Sequence, residues 1–138
     1  MTIFAGIKVL LVEDEGTVAM LIEEMLEDQG CEVVASIPRL AMAREAAGTV
    51  EVDLAILDVN LAGERVFPVA EILRNRKIPF LFSTGYGVSG LPAEFAQCPV
   101  LHKPFSENEL QRKIALTLQE RNAIPGPISA ALKPKEQP

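Results

Sequence analysis

The sequence predicts an α/β protein built on a doubly wound parallel sheet. Five short apolar segments alternate with helical patterns along most of the 138 residues. The first, third and fourth of these segments lack polar alternation, as expected of strands that are buried on both faces. Strands that alternate with helices are typical of a parallel sheet with helices on both sides. The predicted strands are Ile7–Val12, Glu32–Ile37, Leu54–Leu57, Phe80–Phe82 and Val100–His102.

Helical patterns follow the first three strands. The first has apolar residues from Val18 to Leu26 at spacings of three and four, and Gly30 is suited to end it. A weaker pattern follows the second strand. The third begins near Val66, where Pro68 is tolerated only because it falls in the first helical turn.

The last helix has the clearest signals and the fourth has the weakest. Ser106 and Glu109 match a capping box ahead of an amphipathic pattern. The preceding segment, "GYGVSGLPAEFAQCP", has three glycines and two prolines, so we expect a short, mobile region with one or two helical turns at Pro92–Gln97. From Asn122 onward there are four prolines and no periodicity. The sequence thus predicts one domain, residues 1–121, and a flexible Pro-rich tail, residues 122–138.

Charge, hydropathy and cysteine content argue against several classes of protein. The net charge is −6 and there is no Lys/Arg-rich run, which argues against binding to nucleic acid. No apolar run approaches the roughly 18 residues of a membrane span, and the N-terminal segment makes a poor signal peptide. Cys31 and Cys98 form neither a disulfide framework nor a metal site. We therefore expect a cytoplasmic protein with reduced thiols.

Polar residues gather where the predicted strands end. The carboxyl ends of the strands in an open parallel sheet form the edge at which ligands bind. Acids, hydroxyls and a lysine occupy these positions: Glu13, Asp14, Asp58, Ser83, Thr84 and Lys103. Two carboxylates ~4 Å apart repel by about 4 kcal/mol at an effective dielectric constant of about 20, so three of them require a cation.

The types of these residues indicate phosphoryl transfer. Oxygen ligands suit Mg²⁺, which takes one or two carboxylates together with water and phosphate oxygens. The Lys103 ammonium and the Thr84 hydroxyl supply donors for a bound anion. A metal, these donors and a carboxylate nucleophile together allow transfer of a phosphoryl group to that carboxylate.

Four motifs carry a resemblance to a known family. In order, "VLLVEDE", "LAILDVNL", "FLFSTG" and "HKPF" resemble the receiver domain of bacterial two-component response regulators, over about Lys8 to Arg121. No single motif is strong, but the four together are highly specific. The resemblance implies a flavodoxin-like fold with strand order 2-1-3-4-5. Cys31 and Cys98 would then begin opposite edge strands, too far apart for a disulfide.

The resemblance also implies a role for each acid. Asp58 matches the phosphate acceptor, and Asp14 matches the direct Mg²⁺ ligand. Glu13 matches the acid that helps to hold the metal, often through water. Asn60 matches the position whose backbone carbonyl completes the metal site. Glu15 is expected to be a surface acid.

Three further residues match positions that surround the phosphoryl group in the family's site: Thr84, Gly85 and Lys103. The Thr84 hydroxyl corresponds to the one that moves to the phosphoryl group, and Lys103 to the lysine that pairs with its oxygens. Gly85 sits where the family keeps a small residue. Lys-Pro is commonly a cis peptide in this family, and sequence alone does not settle whether Lys103–Pro104 is one. His102 is expected to point to the side opposite Lys103.

The sequence departs from the family pattern at three positions. Val100 replaces a common aromatic residue, which puts the usual coupling between the threonine and a rotating ring in doubt. Ala62 replaces a common proline four residues after the acceptor. Tyr86 occupies a position that tunes the loss of phosphate, and we expect its ring to screen Asp58 from water.

The resemblance implies a stand-alone signalling receiver rather than an enzyme with an external substrate. A sensor histidine kinase or a histidine phosphotransfer protein would donate the phosphoryl group to Asp58. Only 17 residues, 122–138, follow the predicted domain, so we expect output through protein contact, a phosphate shuttle or a phosphate sink, without a DNA-binding domain. The downstream partner stays open. We expect a monomer or a weak dimer.

Two alternatives remain. A Mg²⁺-dependent phosphohydrolase would also place an aspartate nucleophile after a parallel strand, but it commonly needs a second aspartate where this chain has Asn60. An unphosphorylated receiver could act as a binding module only, although every site position here is chemically competent. Turnover of a phosphomonoester would favour the first alternative, and failure to accept phosphate from any donor would favour the second.

Overall fold

The computed structural model describes residues 3–85 and 91–123, with side chains up to residue 119. The strands are β1 (Lys8–Val12), β2 (Glu32–Ile37), β3 (Leu54–Asp58), β4 (Asn60–Leu61), β5 (Glu64–Arg65), β6 (Phe80–Thr84) and β7 (Val100–His102). The helices are α1 (Gly16–Asp28), α2 (Leu40–Thr49), α3 (Phe67–Asn75) and α4 (Glu107–Ala123), with a 3-10 turn at Ala93–Phe95. Within these residues, no helix is long and apolar enough to cross a membrane.

Five of the strands form one parallel sheet in the order β2-β1-β3-β6-β7. Because β6 and β7 are the fourth and fifth strands predicted from the sequence, the predicted order 2-1-3-4-5 is confirmed. The helices α2 and α3 pack on one face of the sheet, and α1 and α4 pack on the other. This arrangement is the flavodoxin-like, doubly wound fold. It brings the carboxyl ends of the strands to one edge.

In residues 91–99, the longer described part of the connection between β6 and β7, the structure has the 3-10 turn as its one helical element. Pro92 and Pro99 bound this segment, and neither can donate a backbone hydrogen bond, so an α-helix has little room to form. The sequence predicts a short helical segment at Pro92–Gln97. The structure has a helical turn within these bounds, at Ala93–Phe95, so the prediction is confirmed, although the turn is 3-10 and not α. The predicted mobility of this region is untested, and residues 86–90 lie outside the described part of the chain.

An aromatic cluster anchors this short turn. The Phe95 ring stacks on Phe67 at a centroid distance of 5.8 Å and meets the edge of Phe82 at 5.7 Å. The Arg74 guanidinium lies 4.5 Å from the centre of the Phe95 ring, and its Nη1 donates a hydrogen bond to the Glu94 carbonyl at 2.8 Å. Ring burial and this cation–π contact therefore hold the turn against α3.

The helix α4 begins as its sequence predicts and continues past the predicted domain end. The Ser106 amide donates to Glu109 Oε1 at 2.8 Å, and the Glu109 amide donates to Ser106 Oγ at 3.1 Å. These two bonds are the predicted capping box. The helix continues to Ala123, two residues beyond the boundary predicted at residue 121. Most of the predicted tail, residues 124–138, lies outside the described residues, so its flexibility stays a prediction.

A residue with a left-handed backbone conformation follows both α1 and α3, two positions after the last helical residue. Gly30 follows α1 at φ +94°, as predicted, and Lys77 follows α3 at φ +62°. In α3, the Lys77 amide donates to the Arg74 carbonyl at 3.0 Å and the Ile78 amide donates to the Leu73 carbonyl at 2.9 Å. This is the Schellman pattern, in which the left-handed position favours glycine. Lys77 therefore carries backbone strain that Gly30 does not.

Replacement of Lys77 by glycine should stabilise the protein. Lys77 is exposed, so the change removes left-handed strain without loss of a buried contact. We expect Lys77→Gly to raise the free energy of unfolding by about 0.5–1 kcal/mol in a urea titration. The exposed helical residue Glu71 provides the control, since Glu71→Gly should lower that free energy by a similar amount. A loss of stability in Lys77→Gly would contradict the assignment of strain.

Candidate functional site

Four strands of the main sheet place their C-terminal residues at one edge. Glu13 follows β1, Asp58 ends β3, Thr84 ends β6 and Lys103 follows β7. Asp58 is in register with Ser83 on the neighbouring β6. Strand ends in register bring residues that are distant in sequence into contact. The structure thus brings together the site residues that the sequence predicted from separate motifs.

The Lys103 ammonium joins two buried acids. Its Nζ lies 2.9 Å from Glu13 Oε1 and 3.2 Å from Asp58 Oδ2. Glu13 and Asp58 are 2% and 5% exposed. Burial lowers the pKa of Lys103, but the hydrogen bonds and charges of Glu13 and Asp58 outweigh burial and raise it above its ordinary value. Lys103 is therefore a cation across the physiological pH range.

Asp58 is the acid of the site whose pKa is shifted from its ordinary value. Burial, followed by repulsion from Glu13, raises its pKa to about 7, while Lys103 and the Asn60 amide act in the opposite direction. The Asn60 amide donates to Asp58 Oδ1 at 3.3 Å. One ammonium thus balances only part of the negative charge at this edge, and the site favours binding of a further cation.

The geometry of the acids fits a metal ion. Glu13, Asp14 and Asp58 each offer a carboxylate oxygen, and these oxygens lie within 4.8 Å of one another. Asp14 is half-buried, so one side of the group is open to solvent. A set of oxygen donors suits a hard divalent cation such as Mg²⁺, which also keeps several waters. The predicted ligation by the backbone carbonyl of Asn60 stays a prediction.

A hairpin that sequence reasoning did not predict supports Asp14. The strands β4 and β5 are antiparallel and are joined by Ala62 and Gly63, at φ +51° and +92°. The Ala62 amide donates to Asp14 Oδ2 at 3.1 Å, and the Gly63 amide donates to Asn60 Oδ1 at 2.9 Å. A proline has no amide hydrogen and a φ near −65°, so it could not take the place of Ala62. The sequence signal for this hairpin is the pair Ala62-Gly63, because glycine favours such turns.

Thr84 links the ends of β6 and β7. It is buried, and its carbonyl accepts a hydrogen bond from the Lys103 amide at 2.9 Å. A Cβ placed on the neighbouring Gly85 would meet no atom of the described residues within 4 Å. The Lys103–Pro104 peptide bond is cis. The predicted role of Tyr86 lies outside the described residues.

The remaining polar candidates are His102, Glu15 and the two cysteines. His102 is exposed and in register with Thr84, and alternation along the chain directs it away from the side of Lys103. Glu15 is an exposed residue, as predicted. Cys31 and Cys98 form no disulfide, and burial raises the pKa of the Cys31 thiol to about 11. A thiol with that pKa is a poor nucleophile at neutral pH.

Comparisons with known proteins agree with this arrangement. The family model for the response regulator receiver domain matches residues 9–115. The transcriptional regulatory protein TcrA of Mycobacterium tuberculosis is 30% identical over 133 residues, which cover 89% of this chain and 50% of TcrA. The chain thus spans about half the length of the curated relatives it matches.

Solved structures show the same fold. SdrG from Sphingomonas melonis Fr1 is 38% identical, with a TM-score of 0.74, and the match covers 82% of this chain and 97% of SdrG. SdrG also has a solution structure in a BeF₃-activated conformation. The receiver domain of the sensor histidine kinase PA1611 from Pseudomonas aeruginosa PAO1 is 26% identical, with a TM-score of 0.72 and coverage of 83% of this chain and 99% of that domain. That crystal structure has a magnesium ion coordinated in its active-site cleft.

The chain has the sheet order β2-β1-β3-β6-β7 and a lysine between two buried acids, and the receiver-domain model matches residues 9–115, most of its length. The chain therefore belongs to the response regulator receiver domains of two-component signalling systems.

Proposed function

We propose that this chain is a phosphoacceptor receiver that takes a phosphoryl group onto Asp58 from a phosphohistidine of a partner protein. The observation that carries the proposal is the 3.2 Å contact between Lys103 Nζ and Asp58 Oδ2, within a cluster of three acids. The donor is a sensor histidine kinase or a histidine phosphotransfer protein. The protein catalyses only its own phosphorylation and dephosphorylation.

The proposed step forms one bond and breaks one. A carboxylate oxygen of Asp58 attacks the phosphorus atom of the phosphohistidine, the new P–O bond forms, and the P–N bond breaks with its electron pair returned to the imidazole nitrogen. Lys103 pairs with the phosphoryl oxygens as their charge moves into the site. Glu13, Asp14, Asp58 and the Asn60 carbonyl would hold Mg²⁺. When bound, this ion would neutralise carboxylate charge and stabilise the charge of the transferred phosphoryl group.

We propose that the switch proceeds through the ends of β6 and β7. The transferred group adds negative charge beside Thr84 and Lys103, whose backbones are already hydrogen-bonded to each other. The Thr84 hydroxyl and the Lys103 ammonium move toward that charge and shift a two-state equilibrium of the adjoining segments. We further propose that output is protein contact, a phosphate shuttle or a phosphate sink in the cytoplasm. That the protein is a monomer or a weak dimer stays a prediction.

Phosphorylation by a small donor tests the proposal. We expect incubation with acetyl phosphate and Mg²⁺ to add one phosphoryl mass to the protein in intact-mass spectrometry. Asp58→Asn should abolish the gain because it removes the nucleophile, whereas Asp28→Asn, at the end of α1, should retain it. Absence of the gain in folded wild type, with acetyl phosphate and with a donor kinase, would favour the binding module. Repeated turnover of a phosphomonoester would favour the phosphohydrolase.

Mg²⁺ affinity should depend on pH through Asp58. The pKa of this acid is raised to about 7, so below pH 7 a proton competes with the metal for the carboxylate. We expect the dissociation constant for Mg²⁺, measured by calorimetric titration, to be about tenfold weaker at pH 6 than at pH 8. Asp58→Asn should bind more weakly and lose this dependence. A wild-type dissociation constant that is constant between pH 6 and pH 8 would contradict the assignment.

The Ala62 amide should contribute to metal binding through Asp14. Ala62→Pro removes the donor to Asp14 Oδ2 and cannot adopt φ +51°, so we expect the Mg²⁺ affinity to fall about tenfold. Ala62→Gly retains the amide and relieves the left-handed strain, so its affinity should stay within about twofold of wild type. Equal affinities of the two variants in the same calorimetric titration would show that the amide is not required.

A further inference from the structure

Ser83 is a buried hydroxyl to which the proposed reaction assigns no role. It is 1% exposed, and its Oγ makes no hydrogen bond within the described part of the chain. A hydroxyl that is removed from water without a partner destabilises the fold. A hydrogen-bond partner that Ser83 gains in another state of the site would offset this loss of stability.

The strand register places Ser83 beside the phosphate acceptor. Ser83 pairs with Asp58 on one side and with Leu101 on the other. Residues in register on adjacent parallel strands point to the same face of the sheet, so the Ser83 side chain lies between those of Asp58 and Leu101. Leu81, two residues earlier, and Leu101 both belong to the buried layer under α1 and α4. Ser83 thus points to this face, level with Asp58.

The Lys103 side chain crosses this position. Lys103 follows β7, yet its Nζ contacts Asp58 on β3 and Glu13 beyond β1. Because β6 lies between β7 and β3, the stem of the lysine must pass over the end of β6. By alternation, Lys103 lies on the same face as Leu101 and therefore as Ser83. The hydroxyl is consequently located under the path of the lysine.

We propose that Ser83 is a positioning residue, whose Oγ accepts a hydrogen bond from the Lys103 ammonium when Asp58 carries a phosphoryl group. This inference rests on the proposed function. An ammonium has three donors, of which one goes to Asp58 Oδ2, while Glu13 Oε1 forms an ion pair with it at 2.9 Å. Phosphorylation converts one Asp58 oxygen into part of a P–O bond and draws the ammonium toward the phosphoryl oxygens. Ser83 Oγ then holds the ammonium on the side of β6.

The test measures how variants with side chains of similar size bind beryllofluoride, a non-covalent analogue of the phosphoryl group. Ser83→Ala and Ser83→Cys both fit the buried position, but they lack a hydroxyl. We expect each to weaken binding of beryllofluoride, titrated in the presence of Mg²⁺, by about fivefold, as for loss of one hydrogen bond. Mg²⁺ affinity without beryllofluoride should change little, because Ser83 is not among the proposed ligands. The urea midpoint should be unchanged or higher, because both variants remove a buried hydroxyl that has no partner among the described residues in this state. A merely structural role would lower the urea midpoint and leave beryllofluoride affinity unchanged.

A double-mutant cycle tests whether Ser83 acts through Lys103. In a Lys103→Met protein, the added Ser83→Ala change should have no further effect on beryllofluoride affinity. Wild-type affinity in both single Ser83 variants, or an undiminished loss in the Lys103→Met background, would overturn the assignment. If wild type accepts a phosphoryl group from acetyl phosphate while Ser83→Ala binds beryllofluoride normally, the inference fails and the proposed function stands. If wild type accepts none from any donor, the proposed function fails first.

Discussion

The Lys103 ammonium is the charge on which this edge of the sheet depends. Glu13 and Asp58 are both buried, and two carboxylates in such a position repel strongly unless a cation lies between them. The lysine contacts both, but a single positive charge leaves the cluster negative, and the pKa of Asp58 stays raised to about 7. The same imbalance makes the site suited to a metal ion.

The contacts of the lysine depend on packing far from the charges. Lys103 reaches Asp58 only because β6 and β7 are held in register, and the Lys103 amide is hydrogen-bonded to the Thr84 carbonyl. Two apolar layers, one under α2 and α3 and one under α1 and α4, fix that register. A slip of one residue would turn every side chain to the opposite face and separate the charges.

The departures from the family pattern have local structural reasons where the structure describes them. At Ala62 the chain needs an amide donor and a left-handed backbone, and proline offers neither. Val100 is buried in the layer that contains Phe82 and Phe95, so other segments supply the aromatic bulk of this layer. Arg74 and this cluster hold the 3-10 turn at Ala93–Phe95 against α3.

The sequence by itself determined the strand segments, the parallel sheet, the capping box of α4 and the chemical types of the site residues. These features follow from periodicity and from residue type, which are local properties of the chain. Only the tertiary structure decided the β4–β5 hairpin, the pairing of Lys103 with both acids and the burial of Ser83 beside Asp58. Each of these depends on distances between residues that are far apart in sequence or on a backbone conformation at one position. Neither is encoded in a pattern of apolar and polar residues.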